Sequence, residues 1–268
     1  LEASVSGAVV DVCVLTFAVD RPEALARCIA SVAAQSVRHR VRHRVLSERI
    51  DALRAAAPLA GWRDAVEWRA LDGAPFQGAS SPRIARLRAA ALDDVETPFV
   101  CFLDDDNALD PHHVESLLNL IERDGLDAAH AWRFVRNPDG SPFSFDRYPW
   151  HDDPDIAARL YRACIEHGVI VPGDPVMRDG ASVAAEDADW ATVDMNEWLF
   201  RTAVLRRVGF DTAFSAADLR MRVGEDDKLY RRCVDAAIRF ACSRRPSVQY
   251  YLGGVSNLRV TSGPTLDR

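Results

Sequence analysis

Short apolar runs alternate with amphipathic stretches along the 268-residue chain. Val9 to Phe17 (VVDVCVLTF) is β-branched and apolar and ends in a polar turn, the pattern of an interior strand in a parallel sheet. The next stretch predicts a helix capped by Asp20, with Pro22 and Glu23 in its first turn and Leu25, Cys28, Ile29 and Val32 on one face. Arg83 to Leu92 predicts another helix, and Phe99 to Leu103 (FVCFL) a second buried strand. Asp110 then reads as the cap of a helix with Pro111 at its first position and Val114, Leu117, Leu118 and Ile121 on its inner face. Strands that alternate with helices predict one α/β domain over residues 1–268. From Asn137 to Asp189 the chain turns rich in Pro, Gly, Asp and aromatic residues, which predicts an irregular insertion broken by one helix starting near Pro154.

Composition narrows the function classes. Acidic residues outnumber basic ones, 40 to 33, for a formal net charge of -7. That balance argues against a nucleic-acid binder, which needs a basic field to gather phosphate. The one basic run, Arg38 to Arg44, reads as a solvated edge or loop. Six cysteines form no C-x-x-C pair and read as small core residues in a reducing compartment. No run approaches a membrane span or signal peptide, so the sequence predicts a cytoplasmic protein without a membrane partner.

Chemistry is concentrated in two acidic groups. Asp104, Asp105, Asp106 and Asn107 follow the second strand directly, at the carboxyl edge where open α/β sheets bind ligands. Three adjacent carboxylates repel one another unless a cation compensates, and oxygen-only ligands suit Mg²⁺ or Mn²⁺. The plainer reading is a solvated turn that caps the following helix. The second group, Glu225, Asp226 and Asp227, opens an amphipathic helix. The field of a helix N-terminus favours an ionised carboxylate there, free to accept a proton. Trp190 and Trp198 flank Asp194, Asn196 and Glu197, a segment suited to stacking and hydrogen bonding with an acceptor sugar, or to core packing. His112 and His113 fall in the first turn of a helix and read as helix residues before metal ligands.

Four segments, in order, resemble the inverting glycosyltransferases of family 2. VCVLTFAVDRPEALARCIASVAAQS is similar to the family's first strand and helix, and RAAALDDVETPFVCFLDDDNALDP to the stretch from its arginine to the D-x-D motif. NEWLFRTAVLRRVGFDTAF is similar to the strand and helix ending in Gly209, Phe210 and Asp211, and GEDDKLYRRC to the E-D-x-x-L-x-x-R signature, with Arg232 inside the helix. The resemblance implies a single GT-A domain with a Rossmann-like, mostly parallel sheet, helices on both faces and an acceptor-side insertion. Residues 8–110 would form the nucleotide-sugar half, 111–255 the acceptor half and 256–268 a tail.

It further implies that Thr16 and Arg21 lie near the nucleotide base, that Arg88 and Asp104 help to hold the donor, that Asp105 faces ribose or sugar, and that Asp106 binds the metal. Asp226 would be the general base, with Glu225 as the fallback, and Asp194, Asn196 and Trp198 would meet the acceptor. The partners implied are a nucleotide diphosphate sugar, a UDP sugar first, and a small-molecule or glycan acceptor that offers a hydroxyl or amine. Two departures stand out. The second strand ends VLSERID, offering Glu48 or Asp51 to the base, and the late segment YYLGGVSN carries no histidine. The alternatives are a nucleotidyltransferase on the same type of fold, for which AVDRPEAL lacks a glycine-rich basic loop, and a nucleotide-sugar-binding module without turnover.

Overall fold

The computed structural model describes residues 10–71, 80–180 and 192–254. Strands β1 (Val12–Phe17), β2 (Val41–Ser47), β3 (Glu67–Ala70) and β4 (Phe99–Phe102) form one half of the sheet. They lie in the order β3-β2-β1-β4 and every pairing is parallel. The sheet continues through β8 (Trp198–Arg201), β6 (Ala128–Arg136), β9 (Phe240–Tyr251) and β5 (Ala108–Leu109), with β7 (Val176–Met177) paired to β6. Strand β8 runs antiparallel to both β4 and β6 and so joins the parallel half to the other. The pair β6 and β9 is again parallel.

Alternation along the central strands explains why both faces are covered. In β1, Val12 and Val14 point into one core while Cys13 and Leu15 point into another. In β4, Phe99 and Cys101 join the first core and Val100 and Phe102 the second. Side chains of a strand alternate between faces, so a strand apolar at every position needs a helix layer on each side. The first layer contains α1 (Pro22–Ala33), through Cys28 and Val32, and α4 (His113–Asp124), through Val114, Leu117, Leu118 and Ile121. The second contains α3 (Ser80–Asp93), α6 (Thr202–Val208) and α8 (Glu225–Asp235), through Leu92, Leu205 and Leu229.

Several boundaries differ from the sequence expectation. Helix α1 starts after Arg21 with no side-chain cap, and Asp20 pairs with Arg49 instead. Helix α4 begins two residues later than expected, with His112 at its cap; Asp110 is occupied by Gln249, whose Nε2 donates to Oδ1 at 2.8 Å. The basic run is the larger correction. Only Arg38–Arg40 forms a surface 3-10 turn, and Val41 onward is strand β2 between β1 and β3. Arg44 is 6 % exposed there, donating to Glu67 and to the Asp94 carbonyl, so its charge is neutralised inside the fold.

The insertion forms a separate small core. Val135, Phe143, Phe145, Ile170 and Met177 bury against one another, with Tyr148, Trp150 and Tyr250 at their margin. Helix α5 (Pro154–Glu166) closes it, capped by Asp153, whose carboxylate accepts from the Asp155 and Ile156 amides. Two further short helices are α2 (Ile50–Ala55) and α7 (Ala216–Met221). Among the described residues no helix is long and apolar enough to cross a membrane, and all six cysteines are free thiols.

Candidate active site

The first acidic turn leaves the end of β4, and each of its carboxylates has a defined holder. Asn196 clamps Asp104 from two sides: its Oδ1 accepts from the Asp104 amide at 2.6 Å and its Nδ2 donates to Asp104 Oδ2 at 2.9 Å. Arg88 donates to the other oxygen of Asp104 at 3.0 Å. Asp105 is buried and accepts from the Val19 amide at 2.8 Å and from Arg21. The same Arg21 donates to Asp106 at 2.6 Å, so one guanidinium spans two neighbouring carboxylates. Burial raises Asp105 to about 6 despite Arg21, and raises Asp106 as well. Gly254, beyond the end of β9, faces Asp106 so closely that a Cβ at 254 would collide with its Oδ2.

The second acidic turn opens α8. Asp227, at the third position of the helix, accepts from the amide of the N-cap residue Gly224 at 2.7 Å. Glu225 is ion-paired with Arg88, and Asp226 accepts from the Asp227 amide at 3.0 Å. The surroundings of Asp226 work against the ready ionisation expected from its place at a helix start. Burial, then Asp227, Glu225 and Asp194, push its carboxyl well above the usual range, and Arg88 offsets this only in part. A Cβ at 224 would overlap Asp226 Oδ1, so the absence of a side chain there lets the carboxylate keep its place.

Two adjoining compartments lie along these turns. The smaller, about 200 Å³, is lined by Arg21, Arg83, Asp105 and Asp106; the larger, about 530 Å³, by Asp179, Asp194, Asp226 and Asp227. Ser80, Arg88, Asp104, Glu225 and Tyr250 line both. Asp106 and Asp226 therefore face one continuous cleft, with Arg88 and its two carboxylate partners at the join.

Among the described residues no group of three His, Cys, Asp or Glu side chains is arranged to enclose a metal ion. What Asp106 and its neighbour Asp104 offer is a grip of one or two carboxylates beside a cavity. That suits Mg²⁺ or Mn²⁺, which keep their other coordination places for water and phosphate oxygens. Arg21 supplies the compensating positive charge across Asp105 and Asp106 in this structure.

Not every expected residue reaches the cleft. Thr16 is fully buried, its hydroxyl bonded to His43 Nε2 at 2.9 Å and close to Cys28; Phe17 and Val19 line the smaller compartment in its place. Glu48 is ion-paired to Arg83 and sits behind it, and Asp51 lies in the first turn of α2. Trp198 is 0 % exposed, stacked on Phe200 in the core, and cannot meet an acceptor. Asn196 is buried too and acts on Asp104, whereas Asp194 lines the larger compartment. Trp190 lies outside the described residues. His113 is buried against Ser247 and His112 pairs with Glu115, so neither joins the acidic turn.

Sequence reasoning missed the far wall of the larger compartment. Arg133, on β6, is 5 % exposed and contacts Asp179 at 2.6 Å, Asp194 at 3.1 Å and Glu197 at 3.3 Å. Tyr148, Trp150 and Tyr250 line the same compartment. An arginine inside the apolar run AHAWRFV was the available signal, because such a charge needs buried acidic partners.

Comparison with known proteins agrees with this architecture. Residues 80–174 match the family described as Glycosyl transferase family 2. No curated protein sequence matches the chain. The fold is similar to a crystal structure of S. aureus TarS 1–349 in complex with UDP-GlcNAc, with a TM-score of 0.59 and 15% identity over 95% of this chain and 61% of that one. A further structure of TarS 1–349 gives a TM-score of 0.55 at 15% identity over 90% of this chain and 60% of that one. For the longer S. aureus TarS structure the TM-score is 0.55 at 13% identity, and the match covers 93% of this chain and 38% of that one. The chain thus spans about three fifths of the TarS 1–349 structures.

Proposed function

Because residues 80–174 match the Glycosyl transferase family 2 model and the fold is similar to that of TarS, we propose that the protein is a family 2 glycosyltransferase that transfers a sugar from a UDP-type nucleotide donor to an acceptor hydroxyl with inversion, assisted by Mg²⁺ or Mn²⁺. The observation that carries this reading is the continuity of the cleft, with Asp106 at one end, Asp226 at the other and Arg88 between them. The similarity of the fold to TarS, whose structure was solved in complex with UDP-GlcNAc, supports a donor of that class.

The chain's residues divide the work. Arg21 and Arg88 place two guanidinium charges where the diphosphate would lie, and Asp105 stands on the same wall. Held at Asp106, a divalent ion would add electrostatic stabilisation to the departing diphosphate. On the acceptor side, Asp226 takes the hydroxyl proton as the acceptor oxygen bonds to the anomeric carbon. The bond from that carbon to the diphosphate oxygen breaks on the opposite face, and the nucleoside diphosphate leaves with the electron pair. A raised carboxyl makes Asp226 a stronger base than an ordinary aspartate. Glu225 is committed to Arg88, which leaves the base role to Asp226.

The test is a thermal-shift screen of nucleoside diphosphates with and without Mg²⁺ or Mn²⁺, since a ligand that binds only the folded state raises the melting point. UDP with metal should stabilise most, and the product from a UDP sugar should show the opposite anomeric configuration. A chain stabilised by no nucleoside diphosphate in either metal would remove the basis of the reading.

A further inference from the structure

The larger compartment has a charge imbalance that a transfer reaction on a neutral sugar does not need. Among the described residues, its walls carry Asp104, Asp179, Asp194, Glu225, Asp226 and Asp227. Against these six carboxylates stand three guanidinium groups, those of Arg88, Arg133 and Arg222. Arg222 is moreover ion-paired with Asp152, which lies outside the lining. Arg133 alone is shared by Asp179, Asp194 and Glu197.

A second observation lies in the wall itself. Asp179 is 1 % exposed, and its Oδ1 has no hydrogen-bond partner among the described residues although Oδ2 is held by Arg133. A buried carboxylate oxygen left unpaired is costly and calls for a donor. Burial raises Asp179 to about 6, with Asp194 and Asp227 adding to the rise, which reflects the same shortage of positive charge. The compartment also shows how it treats a cation. The Arg133 guanidinium carbon lies 5.2 Å from the Trp150 ring centroid and 5.3 Å from that of Tyr250, so ring faces and carboxylates together seat one positive group.

On the reading that this is a glycosyltransferase cleft, we infer that the acceptor is cationic: a hydroxylated molecule bearing a protonated amino group, which the compartment binds through its carboxylates and aromatic rings. A metal ion fits this compartment less well, because the described residues offer no enclosing ligand set and the aromatic walls supply no oxygen ligands beyond phenols. A small organic ammonium matches the volume of about 530 Å³, the ring faces and the excess of acceptor oxygens at once.

The test is calorimetric titration of the full chain with glucosamine, N-acetylglucosamine and glucose, each with and without UDP and Mg²⁺. Glucosamine should bind at least about ten-fold tighter than the two neutral sugars, and the preference should shrink as salt screens it. Asp179→Asn should reduce the preference without changing the affinity for UDP, and Trp150→Leu should do the same. Equal affinity for the three sugars, or none measurable for any of them, overturns the inference. Because UDP binding is read separately, a chain that binds UDP but shows no amine preference keeps the proposed function and loses only this one. A chain that prefers glucosamine but ignores every nucleoside diphosphate does the reverse.

Discussion

Arg88 and Glu225 lie 137 residues apart in the sequence and meet as an ion pair where the two compartments join. Arg88 is 3 % exposed and also holds Asp104, so both acidic turns depend on one guanidinium. Arg88→Ala should cost about 3–5 kcal/mol, because it leaves the largely buried Glu225 carboxylate uncompensated. Arg88→Lys should recover only part of that loss, since an ammonium lacks the fork that reaches both partners. Urea unfolding of the two variants checks this, and equal stability of Ala and wild type would contradict the bridging role.

Asp226 controls the pH dependence. Its carboxyl is raised by burial and by neighbouring acids, so it stays protonated, and unable to accept a proton, to a higher pH than an ordinary aspartate. The acid limb of kcat/KM should therefore lie above the normal carboxylate range near pH 4. Asp226→Asn should lower turnover about 10²- to 10⁴-fold and abolish that limb while leaving donor affinity within about three-fold. Persistence of the same limb in the Asn variant would assign the base elsewhere.

Gly224 has an ordinary backbone, with φ of -79°, so alanine is tolerated there conformationally. The methyl group would nonetheless overlap Asp226 Oδ1 and swing the carboxylate away. Gly224→Ala should keep the melting point within a few degrees and lose most turnover, about 10-fold or more. Wild-type rates in this variant would show that the position of Asp226 is immaterial.

The central strands and both helix layers were legible in the sequence because their residues are apolar at every position or at helical spacing, as in FVCFL and along α1. Local rules failed where a distant partner decided the outcome. Arg44 and His43 look like surface residues until Glu67 and Thr16 are brought to them, and Trp198 looks like a binding residue until β4 and β6 close around it. At the site, both acidic turns stood out as charge clusters. That they meet followed only from the family resemblance; the contact that joins them, Arg88 of α3 to Glu225 at the start of α8 in the same helix layer, was not legible in either segment, and the far wall was hidden because Arg133, Asp179 and Tyr250 come from three separated segments.

Asp179 gives a stability prediction with a defined sign. Its carboxyl lies at about 6 in the fold against an ordinary value of 3.8, so the folded state binds the proton more tightly than the unfolded chain. That contribution is fully present below about pH 4 and is lost as pH rises through 6, by up to about 3 kcal/mol. Asp179→Asn should flatten the decline in stability between pH 4 and 6, with the part due to Asp105 remaining. Denaturant midpoints across that range are the measurement, and an unchanged slope would refute it.

Trp198→Ala separates core from cleft. The ring packs among Phe200, His130 and Phe240, and its removal should cost about 3–5 kcal/mol. Affinity for nucleotide and acceptor should be unchanged at temperatures where the variant stays folded, as titration at low temperature would reveal.

Strand β9 is the last strand among the described residues yet lies inside the sheet, between β6 and β5. It carries Tyr250 to the shared wall and leads to Gly254 against Asp106. As the polypeptide emerges from the ribosome, a slot beside β6 must therefore wait for a segment more than a hundred residues younger. Until that segment arrives the nascent chain has its acidic turns but not the lining that completes them, so the cleft cannot be complete before β9 has been made.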